Sequence, residues 1–80
     1  MHVAVEISLY PLTDEFIPAI QDFIDRLRSR AGLRVQTNSM STQVSGDYAT
    51  VMAALQTEIA TTFEGDRRAV FVMKVLGGGD

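Results

Sequence analysis

A chain of 80 residues has material for one hydrophobic core and no second, so residues 1–80 read as a single domain. Hydrophobic residues make up 46% and charged residues 21%, a balance that excludes a disordered chain or one embedded in a membrane. The net charge is −3 and the basic residues Arg26, Arg28, Arg30 and Arg34 sit among acids, which argues against a surface that tracks nucleic-acid phosphates.

A core of this size buries only about 60% of the surface that the unfolded chain exposes, so further burial through self-association is expected. Cysteine is absent, which removes disulfides and thiolate metal sites. The lone histidine, His2, reads as a mobile surface residue, and no metal site is expected. No stretch has the basic start, apolar middle and small-residue end of a targeting signal, and none approaches the roughly 20 apolar residues needed to span a bilayer. A cytoplasmic protein without membrane contact is the expectation.

The first element is the strand "VEISLYPL", whose period of two puts Val3, Val5, Ile7 and Leu9 on one face and Ala4, Glu6, Ser8 and Tyr10 on the other. Pro11 ends it. Between Thr13 and Ala31 the residues Phe16, Ile20, Phe23, Ile24 and Leu27 fall on one helical stripe, which predicts an amphipathic helix starting near Glu15, with Pro18 in its first turn and Gly32 as the stop. Leu33 to Asn38 alternates again, and after a tight polar turn a strand over Ser41 to Ser45 completes a hairpin. Gly46-Asp47 closes that strand, with Asp47 as N-cap of a second helix whose inner stripe is Tyr48, Val51, Met52, Leu55, Ile59 and Phe63. Glu64-Gly65-Asp66 breaks this helix, "RRAVFVMKVL" reads as a last strand, and "GGGD" reads as a flexible tail.

The element order βαββαβ predicts an α+β, ferredoxin-like sandwich: a four-stranded antiparallel sheet in order 4-1-3-2 with both helices on one face. The other face is open. Strand 1 gives it Glu6, Ser8 and Tyr10, strand 2 Arg34, Gln36 and Asn38, and strand 3 Ser41, Gln43 and Ser45. The last strand gives it Val70, Val72 and Lys74, or in the other register Phe71 and Met73; the first is favoured. At one end of the sheet Tyr10, Thr37, Asn38, Ser41 and Thr42 converge from adjacent strands about 4.8 Å apart, close enough to surround a small ring-shaped molecule. Hydroxyls and an amide suit the edge of a heterocycle, Tyr10 its face, and Glu6 an amino group or cation. On composition alone a polar open face is the default arrangement for an antiparallel sheet with one solvated side, and burial against another subunit through Val70, Val72 and Tyr10 is a third reading.

The segments "ISLYPL" and "TNSMSTQVSGD", Ile7 to Leu12 and Thr37 to Asp47, resemble the paired signatures of the YKOF-related thiamine/hydroxymethylpyrimidine-binding family. The matching positions are Ser8, Tyr10 and Pro11 in the first and Thr37, Ser41, Thr42, Gly46 and Asp47 in the second. Pro11, Gly46 and Asp47 read as turn and cap residues. The resemblance implies a single ferredoxin-like domain that binds thiamine or its hydroxymethylpyrimidine moiety without catalysis and assembles as a homodimer or homotetramer through its sheets. The ligand-binding candidates are then Glu6, Ser8, Tyr10, Thr37, Asn38, Ser41 and Thr42, with no catalytic residue and no cofactor beyond the ligand itself.

Two other functions compete. An acylphosphatase-like hydrolase would need an anion-binding loop after strand 1, where this chain has the acidic, glycine-free "YPLTDEF". A structural or regulatory oligomerisation module would instead depend on Val70 and Val72 and be indifferent to Ser8, Asn38 and Ser41.

Overall fold

The structure, a computed structural model, describes residues 1–65 and 68–78. Its elements are β1 (His2–Pro11), α1 (Phe16–Arg28), β2 (Arg34–Thr37), β3 (Thr42–Asp47), α2 (Tyr48–Glu64) and β4 (Ala69–Gly77). The sheet has the order β2-β3-β1-β4 with all three pairings antiparallel, which is the ferredoxin-like sandwich the sequence predicts.

β1 buries Val3, Val5, Ile7 and Leu9 and turns Ala4, Glu6 and Tyr10 outward, with Ser8 partly covered. Its buried set packs with Phe23 and Leu27 of α1, Val44 of β3, and Val51 and Leu55 of α2 in one core. Burying a large aliphatic or aromatic side chain contributes about 1.5–3 kcal/mol, so this interlocking of four elements dominates the fold's stability. The register along β4 sets Lys74 opposite Glu6, Val72 opposite Ser8 and Val70 opposite Tyr10. Residues directly opposite share a face, so the favoured register holds. Phe71 therefore turns inward, its ring centroid 5.0 Å from that of Phe23 and 5.6 Å from that of Phe63.

Several boundaries differ from the sequence reading. α1 ends at Arg28, four residues before Gly32, because Ser29 and Arg30 already turn back to bond Asp25 and Leu27 carbonyls; Gly32, at φ 83°, then redirects the chain into β2. β3 starts at Thr42 and continues through Gly46 and Asp47, which pair with Val3 and His2. His2 is accordingly the first residue of a strand and is exposed, the surface position the sequence predicts. Gly46 is required where it stands, since a Cβ there would lie 2.8 Å from the Gly32 carbonyl oxygen, a backbone atom that cannot swing away. Gly77 belongs to β4, while Asp66, Arg67, Gly79 and Asp80, parts of the expected breaker, strand start and tail, lie outside the described residues.

The inner arc of α2 is also rotated from the expected stripe. Val51, Ala54, Leu55, Glu58 and Thr62 are buried, whereas Tyr48 and Phe63 are 44% and 49% exposed. The reason is a polar contact with α1. Glu58 accepts from Arg26 Nη1 and Arg30 Nη2 at 2.8 Å each, and Arg26 Nη2 donates to Thr62 Oγ1 at 2.8 Å. The carboxylate is tolerated in the interior because two guanidinium groups answer its oxygens.

Asp47 caps α2 as the sequence predicts, accepting from the Thr50 amide at 3.4 Å. That bond, with help from the chain's amino terminus, holds its carboxyl below the ordinary value of 3.8. A carboxyl whose folded pKa is lowered adds stability above its unfolded pKa and loses it as pH falls through the folded one. Asp47→Asn keeps a capping acceptor at every pH. Urea titrations at pH 7 and pH 2.5 are therefore expected to show any stability advantage of the unaltered chain over the Asp47→Asn variant narrowing on the acid side; an advantage that widens would contradict the capping role.

Among the described residues no helix is long and apolar enough to cross a membrane.

Candidate functional site

The pairing of β1 with β3 stops at Ile7 opposite Thr42, while its pairing with β4 continues to Pro11 opposite Ala69. Residues Ser8 to Pro11 therefore have a β4 neighbour on one side and no β3 neighbour on the other. A cavity of about 500 Å³ occupies this gap, within the range of small-molecule sites. The Asn38–Ser41 turn flanks one side of it and residues 16–24 of α1 the other.

Because β1 ends inside the gap, residues from both of its faces reach the cavity. Ile7 and Leu9 from the helix-facing side join Ile20, Phe23 and Ile24 of α1 in an apolar wall. Ser8 and Tyr10 come from the open side and are joined by Asn38, Ser39 and Ser41, while Thr42, opposite Ile7 and buried, joins from the helix-facing side. Pro11, Leu12, Phe16 and Met40 complete the lining, and the last three are well exposed, as is Tyr10 at 55%. The cavity thus pairs an apolar and aromatic body with a rim of neutral hydroxyl and amide groups.

Hydrogen bonds fix the turn. The Asn38 side-chain oxygen accepts from the amides of Met40 at 2.7 Å and Ser41 at 2.9 Å, and the Asn38 amide donates to the Ser41 carbonyl at 3.0 Å. This is the local backbone mimicry at which asparagine excels. Ser8 Oγ donates to the Met40 carbonyl at 3.3 Å and ties the turn to β1. With its oxygen committed, Asn38 has its side-chain amino group left to present to a ligand.

The structure brings together five of the seven expected ligand-binding residues, Ser8, Tyr10, Asn38, Ser41 and Thr42. It does not bring in Glu6 or Thr37. Glu6 lies one register step away, with its carboxylate 3.8 Å from Lys74 Nζ on the open face. Thr37 lies opposite Thr42, and its hydroxyl accepts from Arg28 Nη2 at 3.0 Å. The sequence reading missed the contribution of α1, having assigned Phe16, Ile20, Phe23 and Ile24 to the core stripe, and it missed Leu12 and Met40. Two signals were available: an apolar stripe wider than one sheet face needs, and a methionine in the otherwise polar turn "NSMS". Among the described residues no group of three or more His, Asp or Glu is placed to hold a metal ion.

Residues 5–77 match the family described as thiamine-binding protein, a span that runs from β1 through β4 and contains every residue of the cavity lining. The chain belongs to this family. Membership gives it a thiamine-related small-molecule-binding role. Solved structures share the fold. A hypothetical protein from Methanocaldococcus jannascii is 25% identical, with 99% of this chain and 82% of that chain covered at a TM-score of 0.83. A putative thiamine biosynthesis/salvage protein from Thermotoga maritima is 18% identical, with 95% and 83% covered at 0.83. A protein from Streptococcus pneumoniae is 16% identical, with 99% and 89% covered at 0.89. No curated protein matches the chain.

Proposed function

We propose that this protein binds thiamine or its hydroxymethylpyrimidine moiety in the cavity beside the end of β1, and that it releases the ligand unchanged. The observation that carries this reading is the cavity itself: a gap in the sheet lined by an apolar wall and a neutral hydrogen-bonding rim, in a member of a thiamine-binding family. An aminopyrimidine offers an amino donor and ring-nitrogen acceptors, which the hydroxyls of Ser8, Ser41 and Thr42 and the amino group of Asn38 can answer. Tyr10 and Phe16 supply aromatic faces for the ring and, in thiamine, for the thiazolium cation. Each neutral hydrogen bond contributes about 0.5–1.5 kcal/mol, so several with stacking support roughly micromolar binding. Glu6 and Thr37 belong to this proposal only at one remove, through the neighbours they pair with.

Calorimetric titration with thiamine and with hydroxymethylpyrimidine tests it. Saturable heat and a raised thermal midpoint are expected; no heat and no stabilisation at millimolar ligand would end the assignment. Ser8→Val removes the rim hydroxyl and its bond to Met40 and is expected to weaken binding about tenfold, roughly the loss of one hydrogen bond, with little change in unfolding. Unchanged affinity would take Ser8 out of the site.

Self-association through the open face, as a cytoplasmic homodimer or homotetramer, is part of the same proposal. Its support is the apolar exposure of Val70, Val72 and Tyr10 on that face. Sedimentation equilibrium of Val72→Lys against the unaltered chain reads it directly, with dissociation of the variant as the expected outcome.

A further inference from the structure

We propose that the cavity selects the unphosphorylated form of its heteroaromatic ligand and rejects the corresponding phosphate monoester. This deepens the binding reading above and rests on it. Among the described residues that line the cavity there is no lysine, arginine or histidine; the polar groups are hydroxyls and one amide. A phosphate monoester carries about −1.5 to −2 charges at pH 7, and its oxygens need cationic or several amide donors once they leave water. The side chains of the lining offer no cation and a single carboxamide.

The structural feature nearest the cavity that ordinarily receives an anion is the start of α1, whose Phe16 forms part of the mouth. Here it is poorly suited to that task. Pro18, the third helical residue, has no N–H to give, and Asp14 and Glu15 set two carboxylates immediately before the helix. In sequence these acids stand between Leu12 and Phe16 of the mouth, so like charge flanks the path of a phosphate trailing outward from a seated ring; the exposed Arg68, whose carbonyl accepts from the Leu12 amide at 2.8 Å, stands beside that edge but does not line the cavity. Lys74 does not offset them, because it lies on the open face opposite Glu6 and does not line the cavity. A cationic or neutral ring meets no such opposition.

The test is calorimetry of the full chain with thiamine and with thiamine monophosphate at pH 7.5, in about 50 mM and about 500 mM salt, where the screening length falls from above 10 Å to a few Å. The ester is expected to bind at least about fivefold more weakly in low salt, with the gap shrinking in high salt. Equal or tighter binding of the ester would leave the binding reading standing and overturn the selectivity. A gap that ignores salt would make the exclusion steric and overturn the charge argument. Failure of both ligands to bind would remove the binding reading and this inference with it.

Discussion

Phe23→Ala is expected to destabilise the domain by about 3–5 kcal/mol, the usual cost of truncating a fully enclosed aromatic residue. Phe23 is 2% exposed, packs against Phe71, and carries the Arg26 guanidinium 5.9 Å from its ring centre. Small domains have roughly 5–15 kcal/mol in total, so the variant would be left near the threshold of folding. Urea unfolding of the two chains measures the difference. A loss below about 1 kcal/mol would mean that α1 collapses onto the sheet to fill the space, which the packing described above does not allow. Because Phe23 also forms part of the cavity wall, the gentler Phe23→Leu is the variant in which to read ligand affinity.

Glu58→Ala has the next largest expected effect and acts through charge. Its carboxylate is the shared partner of Arg26 and Arg30, and the side chain is 9% exposed while those of the arginines are 21% and 35% exposed. Removing one member of an enclosed ion pair costs about 3–5 kcal/mol; here the arginines can reach water, and Arg26 keeps Asp22 and Thr62, so about 2–3 kcal/mol is expected. Arg30→Ala should cost under about 1 kcal/mol, since its partner retains Arg26 and its own side chain is the most exposed of the three. Thermal unfolding of the three chains checks the order. If Arg30→Ala proved as damaging as Glu58→Ala, the network would not be centred on the carboxylate.

These two residues also mark how far the sequence could be read. The periodicities of Val3 to Tyr10 and of Phe16 to Leu27 place β1 and α1, and the outward alternation of Glu6, Ser8 and Tyr10 is correct because a central strand must bury one parity entirely. Phe23 belongs to that legible part. Glu58 does not. A glutamate inside a helix reads as solvent-facing, and only the tertiary approach of Arg26 and Arg30, 32 and 28 residues away in the chain, makes its burial tolerable and rotates α2 with it.

The cavity divides in the same way. Ser8, Tyr10, Asn38, Ser41 and Thr42 were legible because strand order and parity bring them to one end of the sheet. Phe16, Ile20 and Ile24 were not, because the pattern that sends a side chain inward does not say whether it meets another side chain or empty space. That depends on β3 starting at Thr42, one residue late, which leaves the end of β1 without a neighbour on the β3 side. Thr37 illustrates the converse: it is close to the gap in sequence and shares the parity of Thr42, yet its hydroxyl accepts from Arg28 and it stays out of the lining.

The central claim is that the gap beside the end of β1 holds the ligand, and an amide nitrogen–hydrogen correlation spectrum recorded during titration with thiamine addresses it directly. The account predicts saturable shifts concentrated at Ser8 to Leu12, Asn38 to Thr42 and the first half of α1. Shifts confined to the open-face residues Glu6, Gln36, Gln43 and Lys74, or an unchanged spectrum at millimolar thiamine, would contradict it.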